Sequence, residues 1–283
     1  MPNAWNEFQP DLLKHDFEIY DNCTPTMNMP AYHGHNFYEI HMVLQGNVIR
    51  YTEDNIVELH PGDVTIYPPG MFHRYVHPED PLSSDNYARV LLYVSPEFMR
   101  SLDSAKLKLS EMLDGFGMPA DRYLSLPLEE LKSLCQPLQE IAKADQDDDP
   151  LSHLFNSAQV TVFLARLMEK IIKSSAVVQQ PEDQSLIPRV LSYINTHLSD
   201  DLSLDQLAER FFVSKFYLSH QFKQYTDLSL YQYVLTRRMM HAQILLKAGH
   251  SPSAVATACG YQEYSSFYKA FTRTTGKNPR DFR

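Results

Sequence analysis

Cysteine is scarce in this sequence of 283 residues. Its three cysteines, Cys23, Cys135 and Cys259, lie more than 100 residues apart, and none belongs to a C-x-x-C pair. A disulfide framework needs an even number of cysteines, and a cysteine zinc site needs closely spaced pairs. The sequence therefore argues against both kinds of site and favours a reducing compartment, the cytoplasm.

Glycine and long apolar runs are also sparse. The nine glycines form neither G-x-G-x-x-G nor G-x-x-x-x-G-K-[ST]. Those loops bind dinucleotides and nucleoside triphosphates, so a Rossmann dehydrogenase, a kinase or a P-loop ATPase is not expected. No apolar run reaches the roughly 18–20 residues that span a bilayer, and the N-terminal segment lacks the pattern of a signal peptide. We expect a protein that is neither secreted nor membrane-spanning.

Charge is unevenly distributed between two regions. Residues 1–185 have a net charge of −15 and residues 186–283 have a net charge of +5. The length of 283 residues predicts two domains plus a connector. Hydrophobic periodicity fails around Pro181, which indicates a linker, and the acidic stretch at 145–149 is interpreted as a solvated turn between helices. The charge asymmetry indicates a basic domain fused to an acidic one.

The last hundred residues contain an internal repeat. Ser203–Tyr233 matches Ser251–Phe282 at an offset of 48 residues, which becomes 49 after one added residue. In the first copy, Ser203 is expected to cap a short helix, with Gln206 closing a capping box. A turn at 212–213 follows, and then a second helix with its own cap and one apolar stripe. This pattern predicts a helix-turn-helix unit at 203–225.

The second copy predicts another helix-turn-helix unit at 251–275. It begins with a cap at Ser251-Pro252, turns at 259–261 and ends at Gly276. Between the copies, residues 229–248 predict one long helix, ended by Gly249, that spans about 28–30 Å. Two recognition helices about that far apart fit successive major-groove turns of DNA, which are about 34 Å apart.

Two motifs in this region resemble a known family. A-x4-V-S-x3-L-x3-F-K begins at Ala208, and G-Y-x5-F-x3-F-x4-G-x2-P-x2-F begins at Gly260. With these motifs, residues 186–283 resemble the DNA-binding domain of the AraC family of bacterial transcription regulators. The resemblance implies double-stranded DNA as a partner and places the DNA contacts at Lys215, Phe216, Tyr217, Ser219, His220, Lys223, Ser265, Ser266, Tyr268 and Lys269.

The sequence departs from that family pattern at two positions. His220 stands where the family commonly has Arg, so the base read at this position stays open, because Arg with guanine is the commonest specific pairing. Asp227 replaces the usual Gly, a change that is structurally tolerable because Asp visits the left-handed conformation at modest cost.

The N-terminal region predicts a small β-barrel. Short β-prone segments separated by turns are typical of a barrel or a sandwich. Two patterns, His33-x-His35-x3-Glu39-x6-Gly46 and Gly62-x5-Pro68-x-Gly70-x2-His73, make residues 15–100 resemble a cupin barrel, the usual effector domain of the AraC family. We assign this domain to residues 1–110. The predicted strands span 37–44, 48–52, 57–59, 64–67, 74–77 and 88–94.

Polar side chains are expected inside this barrel. The residues at 33, 35, 37, 39 and 41 share parity, so if the strand is regular they point to one face. The candidates for contact with an effector are His33, His35, Phe37, Glu39, His41 and His73.

Three interpretations of these side chains stay open. The cupin resemblance implies that His33, His35, Glu39 and His73 hold a divalent metal, although no cofactor is required. The alternatives are direct contact with a small effector, or internal hydrogen bonds that order the barrel. Aromatic residues in the barrel suit a carbohydrate effector.

Residues 111–180 predict a helical connector, with amphipathic helices at 127–143 and 150–173. Apolar residues surround much of the second helix, so one stripe is available for the barrel and another for a partner chain. The family resemblance implies homodimerisation here, and burial within one subunit is the alternative.

The sequence predicts a multi-domain α and β protein with a cupin-like barrel, a helical connector and an all-α domain at 186–283. Its expected function is that of a cytoplasmic, sequence-specific transcription regulator, an activator rather than an enzyme. A small molecule, RNA polymerase and a second copy of the chain are its other expected partners. The alternatives are a metal-dependent cupin enzyme of dioxygenase or isomerase type with an accessory DNA-binding domain, and a ligand-free architectural DNA-binding protein.

Overall fold

The chain divides into two compact units, Met1–Glu182 and Asp183–Arg283, called here the N-terminal unit and the C-terminal unit. The structure is a computed structural model that describes residues 13, 15–24, 28–52, 55–77, 86–117, 122–144, 150–173, 177–179, 185–226 and 228–282. The interpretations of Pro181, of Asp227 and of the acidic stretch at 145–149 concern residues outside this described part. Among the described residues, no helix has the length and apolar character needed to cross a membrane.

Strands form most of the first half of the N-terminal unit. Their bounds are β1 (Phe17–Thr24), β2 (Asn28–His33), β3 (Tyr38–Gln45), β4 (Val48–Thr52), β5 (Ile56–Leu59), β6 (Asp63–Tyr67), β7 (His73–Val76), β8 (Tyr87–Val94), β9 (Arg122–Ser125) and β10 (Val177–Gln179). The six predicted strands are confirmed as β3 to β8, to within one residue at each end. The strands β1, β2, β9 and β10 were not predicted.

Two antiparallel sheets enclose an interior. One has the strand order β1-β8-β3-β6-β9-β10, and the other has the order β2-β7-β4-β5. Side chains alternate along β3. Ile40 and Met42 pack in one core cluster with side chains of the helices. Val43 packs with Val48 and Tyr75 in a second cluster, between the sheets. The predicted cupin-like barrel is confirmed in this arrangement.

Helices cover the outer face of the six-stranded sheet. They are α1 (Pro96–Ser101), α2 (Leu109–Gly117), α3 (Leu128–Lys143) and α4 (Pro150–Lys173). The last two confirm the amphipathic helices predicted in the connector, and Leu131, Leu138, Phe163 and Leu164 bury their inner faces against the sheet. The connector helices thus belong to the same compact unit as the barrel.

The described part of the C-terminal unit is helical. Its helices are α5 (Leu186–Thr196), α6 (Leu204–Arg210), α7 (Lys215–Thr226), α8 (Leu230–Lys247), α9 (Pro252–Ala258) and α10 (Tyr264–Thr275), and a 3-10 turn follows at Pro279–Asp281. The two predicted helix-turn-helix units and the long helix between them are confirmed. With 18 residues, α8 is about 27 Å long.

Local hydrogen bonds explain where these helices begin and end. The side chains of Ser203 and Ser251 each accept a backbone N–H in the first turn of the helix that follows. At the start of α8, Ser229 and Gln232 form a reciprocal capping box. After α10 the chain leaves the helix through Gly276 at φ +70°, a left-handed conformation that glycine adopts without a Cβ clash.

Candidate DNA-binding surface and effector site

The helices α7 and α10 are the candidate recognition helices. Each has twelve residues and buries two large apolar side chains one turn apart, Leu218 with Phe222 on α7 and Phe267 with Phe271 on α10. Burial of one such side chain stabilises the fold by about 1.5–3 kcal/mol. The buried pairs therefore fix the rotation of each helix and direct its other face outward.

All ten residues predicted to contact DNA are exposed on these two helices. Six lie on α7 and four lie on α10, so the structure brings them together on the outer faces of equivalent elements. Their contact with DNA stays a prediction. The exposed positions are Lys215, Phe216, Tyr217, Ser219, His220, Lys223, Ser265, Ser266, Tyr268 and Lys269.

Lys215 and Tyr268 have polar partners within the C-terminal unit. Lys215 Nζ lies 2.6 Å from Asp205 Oδ1, and both side chains are mostly exposed. The Tyr268 hydroxyl donates to Asn278 Oδ1 at 2.6 Å. Contact with DNA would require Lys215 to exchange a carboxylate for a phosphate, whereas Tyr268 is already held in one orientation.

Phe216 is more exposed than Tyr217 and Tyr268, the two tyrosines among the predicted contacts. Its side chain is 83% exposed in the first turn of α7. The His220 ring lies one turn further along, with ring centroids 6.3 Å apart and an interplanar angle of 19°. An exposed phenyl ring cannot hydrogen-bond to a base, but it can contact a thymine methyl group in the major groove.

Phe212 was not singled out from the sequence. It lies in the turn between α6 and α7, has φ +57° and is 95% exposed. A left-handed conformation costs a residue with a side chain about 1–2 kcal/mol. The internal repeat identifies this turn position, because Gly260 stands at the equivalent place in the second copy and has φ +74°.

Arg238 on α8 was also missed as a structural residue. Its Nε donates to the Leu198 carbonyl at 3.0 Å, and its Nη2 donates to the Asp200 carbonyl at 2.6 Å. A Cβ at Gly260 would lie 2.5 Å from Arg238 Nη2. Arg238 therefore joins the segment before the first helix-turn-helix unit to the turn of the second.

Residues 33–41 do not form one regular strand, which was the condition for their shared parity to point them to one face. His33 ends β2 in the four-stranded sheet, whereas Glu39 and His41 lie on β3 in the six-stranded sheet. Long-range pairing decides this, because His33 lies opposite His73 and Glu39 lies opposite Tyr67. Residues 34–37 cross between the sheets.

The crossing nevertheless brings four of the predicted side chains together. His35 Nε2 lies 2.9 Å from Glu39 Oε2, and His73 Nε2 lies 3.4 Å from the same oxygen. The ring centroids of His33 and His73 are 4.4 Å apart. Burial opposes ionisation of Glu39, but His73 and His35 outweigh it and hold the pKa of Glu39 well below its usual value. Glu39 is thus a buried carboxylate.

Aromatic rings pack around this cluster. Phe37 is 1% exposed and stacks on the His35 ring, with centroids 4.1 Å apart and an interplanar angle of 4°. Tyr67 stacks on His73 in the same manner, at 3.8 Å and 14°. These contacts fix the planes of both imidazoles.

His41, the remaining predicted residue, lies apart from Glu39 in a hydrogen-bonded network. Its Nε2 is 2.7 Å from the Tyr87 hydroxyl, and complete burial lowers the pKa of His41 to about 3. The Tyr75 hydroxyl donates to the Tyr67 hydroxyl at 2.6 Å and lies 3.3 Å from Thr65 Oγ1. The interior therefore offers neutral hydroxyl and imidazole groups beside aromatic rings, as a carbohydrate requires.

Arg50 is a further interior residue that the sequence did not identify. It lies on β4 between the inward-facing Val48 and Thr52, and its side chain is only 1% exposed. An arginine is rarely so deeply buried, and its position on a strand of ordinary alternation gives no signal in the sequence. Arg50 adds hydrogen-bond donors to the interior.

Three of the four predicted metal ligands have metal-binding geometry. His33, Glu39 and His73 each offer one ligand atom, and these atoms lie within 4.8 Å of one another. The fourth, His35, directs its ring nitrogens to other partners: Nδ1 is 2.8 Å from the Phe37 carbonyl and Nε2 contacts Glu39. The residues present therefore fit a site with three ligands.

The helix α4 has a second apolar face that no part of the described chain covers. Leu151, Phe155, Val162 and Ile172 are exposed, with Leu151 at 73%. Exposed residues recur along this face at alternating intervals of four and three: Leu151, Phe155, Ala158, Val162, Ala165, Glu169 and Ile172. Beside its C-terminal half lies a mostly apolar cavity of about 330 Å³ lined by residues that include Leu107, Ala165, Met168 and Ile172.

Comparison with known proteins places this arrangement among transcription regulators. A family model described as an AraC-like ligand-binding domain matches residues 14–212, and one described as a helix-turn-helix domain matches residues 207–283. The HTH-type transcriptional activator RhaR of Shigella dysenteriae is 26% identical over 288 residues, covering 96% of this chain and 95% of that protein. RhaS of Escherichia coli, also an HTH-type transcriptional activator, is 28% identical over 262 residues, covering 92% of this chain and 89% of that protein.

Among solved structures, the C-terminal domain of AraT, a response regulator from Geobacillus stearothermophilus, is 33% identical. The match covers 34% of this chain and 80% of the AraT domain, with a TM-score of 0.33.

Proposed function

The chain belongs to the AraC family of transcription regulators, and from that premise we propose that it is a transcription activator in which α7 and α10 read one DNA site. The observation that carries the proposal is the exposure of all ten predicted contact positions on two helices whose opposite faces are buried. The net charge of +5 on residues 186–283 attracts DNA, and the net charge of −15 on residues 1–185 repels it. DNA contact is thereby confined to the C-terminal unit.

Footprinting on selected genomic fragments tests the DNA-binding proposal. Purified full-length protein should protect two segments about one helical turn apart. His220→Ala and Lys269→Ala should each reduce affinity by about 1–3 kcal/mol, whereas the exposed Lys247→Ala on α8 serves as a matched control. Equal affinity of all four proteins would remove α7 and α10 from the interface.

We infer that the effector is a small polyhydroxylated molecule, a carbohydrate, bound between the two sheets. The neutral hydroxyl and imidazole groups of Tyr67, Tyr75, Tyr87 and His41 supply donors and acceptors, and their rings supply faces for C–H groups. Thermal-shift screening with monosaccharides tests this, with Tyr87→Phe as the variant that removes one hydrogen bond. No shift with any sugar, together with a shift from another class of molecule, would replace the carbohydrate.

We further propose a homodimer formed through the exposed face of α4. The seven exposed positions on this face are spaced almost symmetrically about Val162, so an antiparallel second copy aligns the face with itself. Such an alignment sets the protruding Leu151, Leu154 and Phe155 of one copy towards the apolar cavity of the other.

Sedimentation velocity measures the dimer directly. Val162→Asp places a charge at the centre of the face and should shift the chain to monomer. Ser133→Asp puts the same charge on an exposed position of α3 and should leave the dimer unchanged. Dimerisation of the Val162 variant at wild-type strength would place the interface elsewhere.

The remaining parts of the proposal are that the protein acts in the cytoplasm, engages RNA polymerase and catalyses no reaction. The alternative of a metal-dependent cupin enzyme predicts turnover that disappears with Glu39→Gln. The regulator predicts instead that this variant changes only the effector response of a reporter promoter. An architectural protein predicts that no small molecule changes either readout.

A further inference from the structure

We propose that the effector is anionic, and that Arg50 and Arg89 bind its carboxylate or phosphate group between the two sheets. The inference rests on the proposed carbohydrate effector and narrows that class to sugar acids and sugar phosphates. The two proposals can fail separately, because binding of neutral sugars alone would keep the carbohydrate and remove the negative charge.

Arg50 carries a positive charge into the interior from the four-stranded sheet. It lies on β4, where Val48 and Thr52 are the buried neighbours on its own face. Val48 belongs to the core cluster between the sheets, and Arg50 itself is buried. A guanidinium group does not lose its proton in a protein, so the charge that Arg50 places there is permanent.

Arg89 carries a second permanent charge into the same interior from the six-stranded sheet. It is buried on β8, where Val90 and Leu92 pack in the cluster with the helices and Tyr87 packs in the cluster between the sheets. Because side chains alternate along a strand, Arg89 shares the inner face with Tyr87. The Arg89 Cζ atom lies 5.1 Å from the centroid of the Tyr87 ring. Arg89 thus lies beside a side chain that the proposed effector contacts.

The two guanidinium charges act on one imidazole between the sheets. His41 lies on β3, with its Nε2 2.7 Å from the Tyr87 hydroxyl. Burial is the main cause of the low pKa of His41, and the charges of Arg89 and Arg50 lower that pKa further. Such interactions weaken with distance, so both charges lie near the same imidazole although they come from opposite sheets. An anionic group placed beside His41 would be attracted by both arginines.

Two buried carboxylates of the described interior are hydrogen-bonded to donors other than arginine. Glu39 Oε2 lies 2.9 Å from His35 Nε2 and 3.4 Å from His73 Nε2. Asp63, at the start of β6, accepts the backbone N–H of His60 at 2.8 Å. These bonds tie each carboxylate to its own local group.

The chemistry of the guanidinium group selects the ligand. Arg50 and Arg89 also interact with other residues of the chain. Each guanidinium has five N–H donors in a planar fork, so a contact with one group leaves donors for another. The fork matches the paired oxygens of a carboxylate or a phosphate, and an anion offsets the cost of burying positive charge. A neutral hydroxyl group supplies no such charge.

Matched pairs of sugars test the charge of the effector. D-Galacturonate and D-glucuronate carry a carboxylate where D-galactose and D-glucose carry a hydroxymethyl group, and the 6-phosphates of the two neutral sugars carry a phosphate at the same position. Calorimetric titration of the full-length protein should give at least one acid a Kd about tenfold or more below that of its neutral counterpart. The uronates and the 6-phosphates distinguish the two kinds of anionic group.

Variants of the arginines test their part in binding. Arg89→Gln and Arg50→Gln keep hydrogen-bond donors but remove the charge, so the acid and its neutral counterpart should bind to each variant alike. Arg89→Lys keeps the charge without the fork and should retain part of the preference for the acid. Arg100→Gln, at an exposed arginine of α1, is the control and should keep the full preference.

Three results would overturn the inference. Neutral sugars that bind as tightly as their acids would remove the anionic group and leave the carbohydrate. An undiminished preference for the acid in Arg89→Gln and Arg50→Gln, shown to be folded by circular dichroism, would remove the arginines from the site. If no sugar of either kind binds, the carbohydrate proposal fails and the anionic effector, which rests on it, fails too.

Discussion

The two helix-turn-helix units have helices of equal length and a left-handed residue at the same position of the turn, but a different residue type occupies that position. Their helices have seven and twelve residues in each copy, and equivalent hydrogen bonds close both turns: Val213 N to Ala208 O and Tyr261 N to Ala256 O, each 3.0 Å. The left-handed turn residue is Phe212 in the first unit and Gly260 in the second.

The surroundings of the two turns explain this difference. At Gly260 a Cβ would lie 2.5 Å from Arg238 Nη2 and 2.7 Å from the Leu198 carbonyl, so only glycine fits. Phe212 extends into solvent, where the left-handed conformation carries only its intrinsic cost. The motif therefore imposes the backbone conformation on both copies, whereas the packing of each copy decides which residue is tolerated there.

The largest expected effect follows from closing the space at Gly260. Gly260→Ala should lower the free energy of unfolding by about 3 kcal/mol, because it combines left-handed strain with a clash against Arg238. Gly276→Ala is the matched control, since Gly276 has φ +70° and nothing within 4 Å of its Cβ position. It should cost about 1 kcal/mol in urea denaturation. Equal losses would mean that Arg238 moves aside freely.

The second-largest expected effect is a loss of DNA affinity that distinguishes the contacts of the first unit from those of the second. Phe216 corresponds to Ser265 in the repeat, so an aromatic ring in the first unit stands where the second has a hydroxyl. Phe216→Ala should reduce affinity by about 1–3 kcal/mol, and replacing thymines by deoxyuridine in one half-site should remove a similar part of wild-type affinity.

A double-mutant cycle measured by fluorescence anisotropy checks the thymine contact. The Phe216→Ala protein should be insensitive to the missing methyl groups. Additive losses would show that the ring contacts no thymine methyl group.

A smaller effect is expected at the turn of the first unit. Phe212→Gly should raise the free energy of unfolding by about 1 kcal/mol by removing left-handed strain. Phe212→Ala, which retains a Cβ, should leave stability almost unchanged. If both variants were destabilised in urea titrations, the Phe212 ring would be contributing packing that outweighs its strain.

The smallest effect concerns the charge beside α7. Asp205→Ala removes the carboxylate paired with Lys215 and should strengthen DNA binding a few-fold at low salt. Recruitment of Lys215 to a phosphate would steepen the plot of log K against log salt by about 0.9. An unchanged slope would show that Asp205 does not keep Lys215 from a phosphate.

The repeat also shows why parts of this structure could be predicted from the sequence. Helices α6 to α10 are specified by neighbours in the chain, with serine caps at 203, 229 and 251 and glycines at 249 and 276. These signals act within one turn, so the predicted bounds agree closely with the observed ones.

The barrel depends more on long-range pairing and was predicted less well. The residues between His33 and Glu39 alternate as one strand would, but the two ends pair with β7 and β6 in different sheets. The four residues of β9 and the three of β10 pair with each other across most of the connector, which no local pattern reveals. The cluster of His33, Glu39 and His73 was found because the motif spacing named its members, whereas Arg50 and Arg238 gave no such signal.

The shared helix α8 has a consequence for folding cooperativity. Tyr233, near its start, packs edge-on against Phe222 of the first unit at 5.5 Å, while Met239 and Leu246 lie in the core of the second with Phe267. Side chains of α8 therefore take part in the packing of both copies. Amide hydrogen exchange should therefore show both copies opening together, so that a defect in one lowers protection in the other and the duplicated domain melts in one transition.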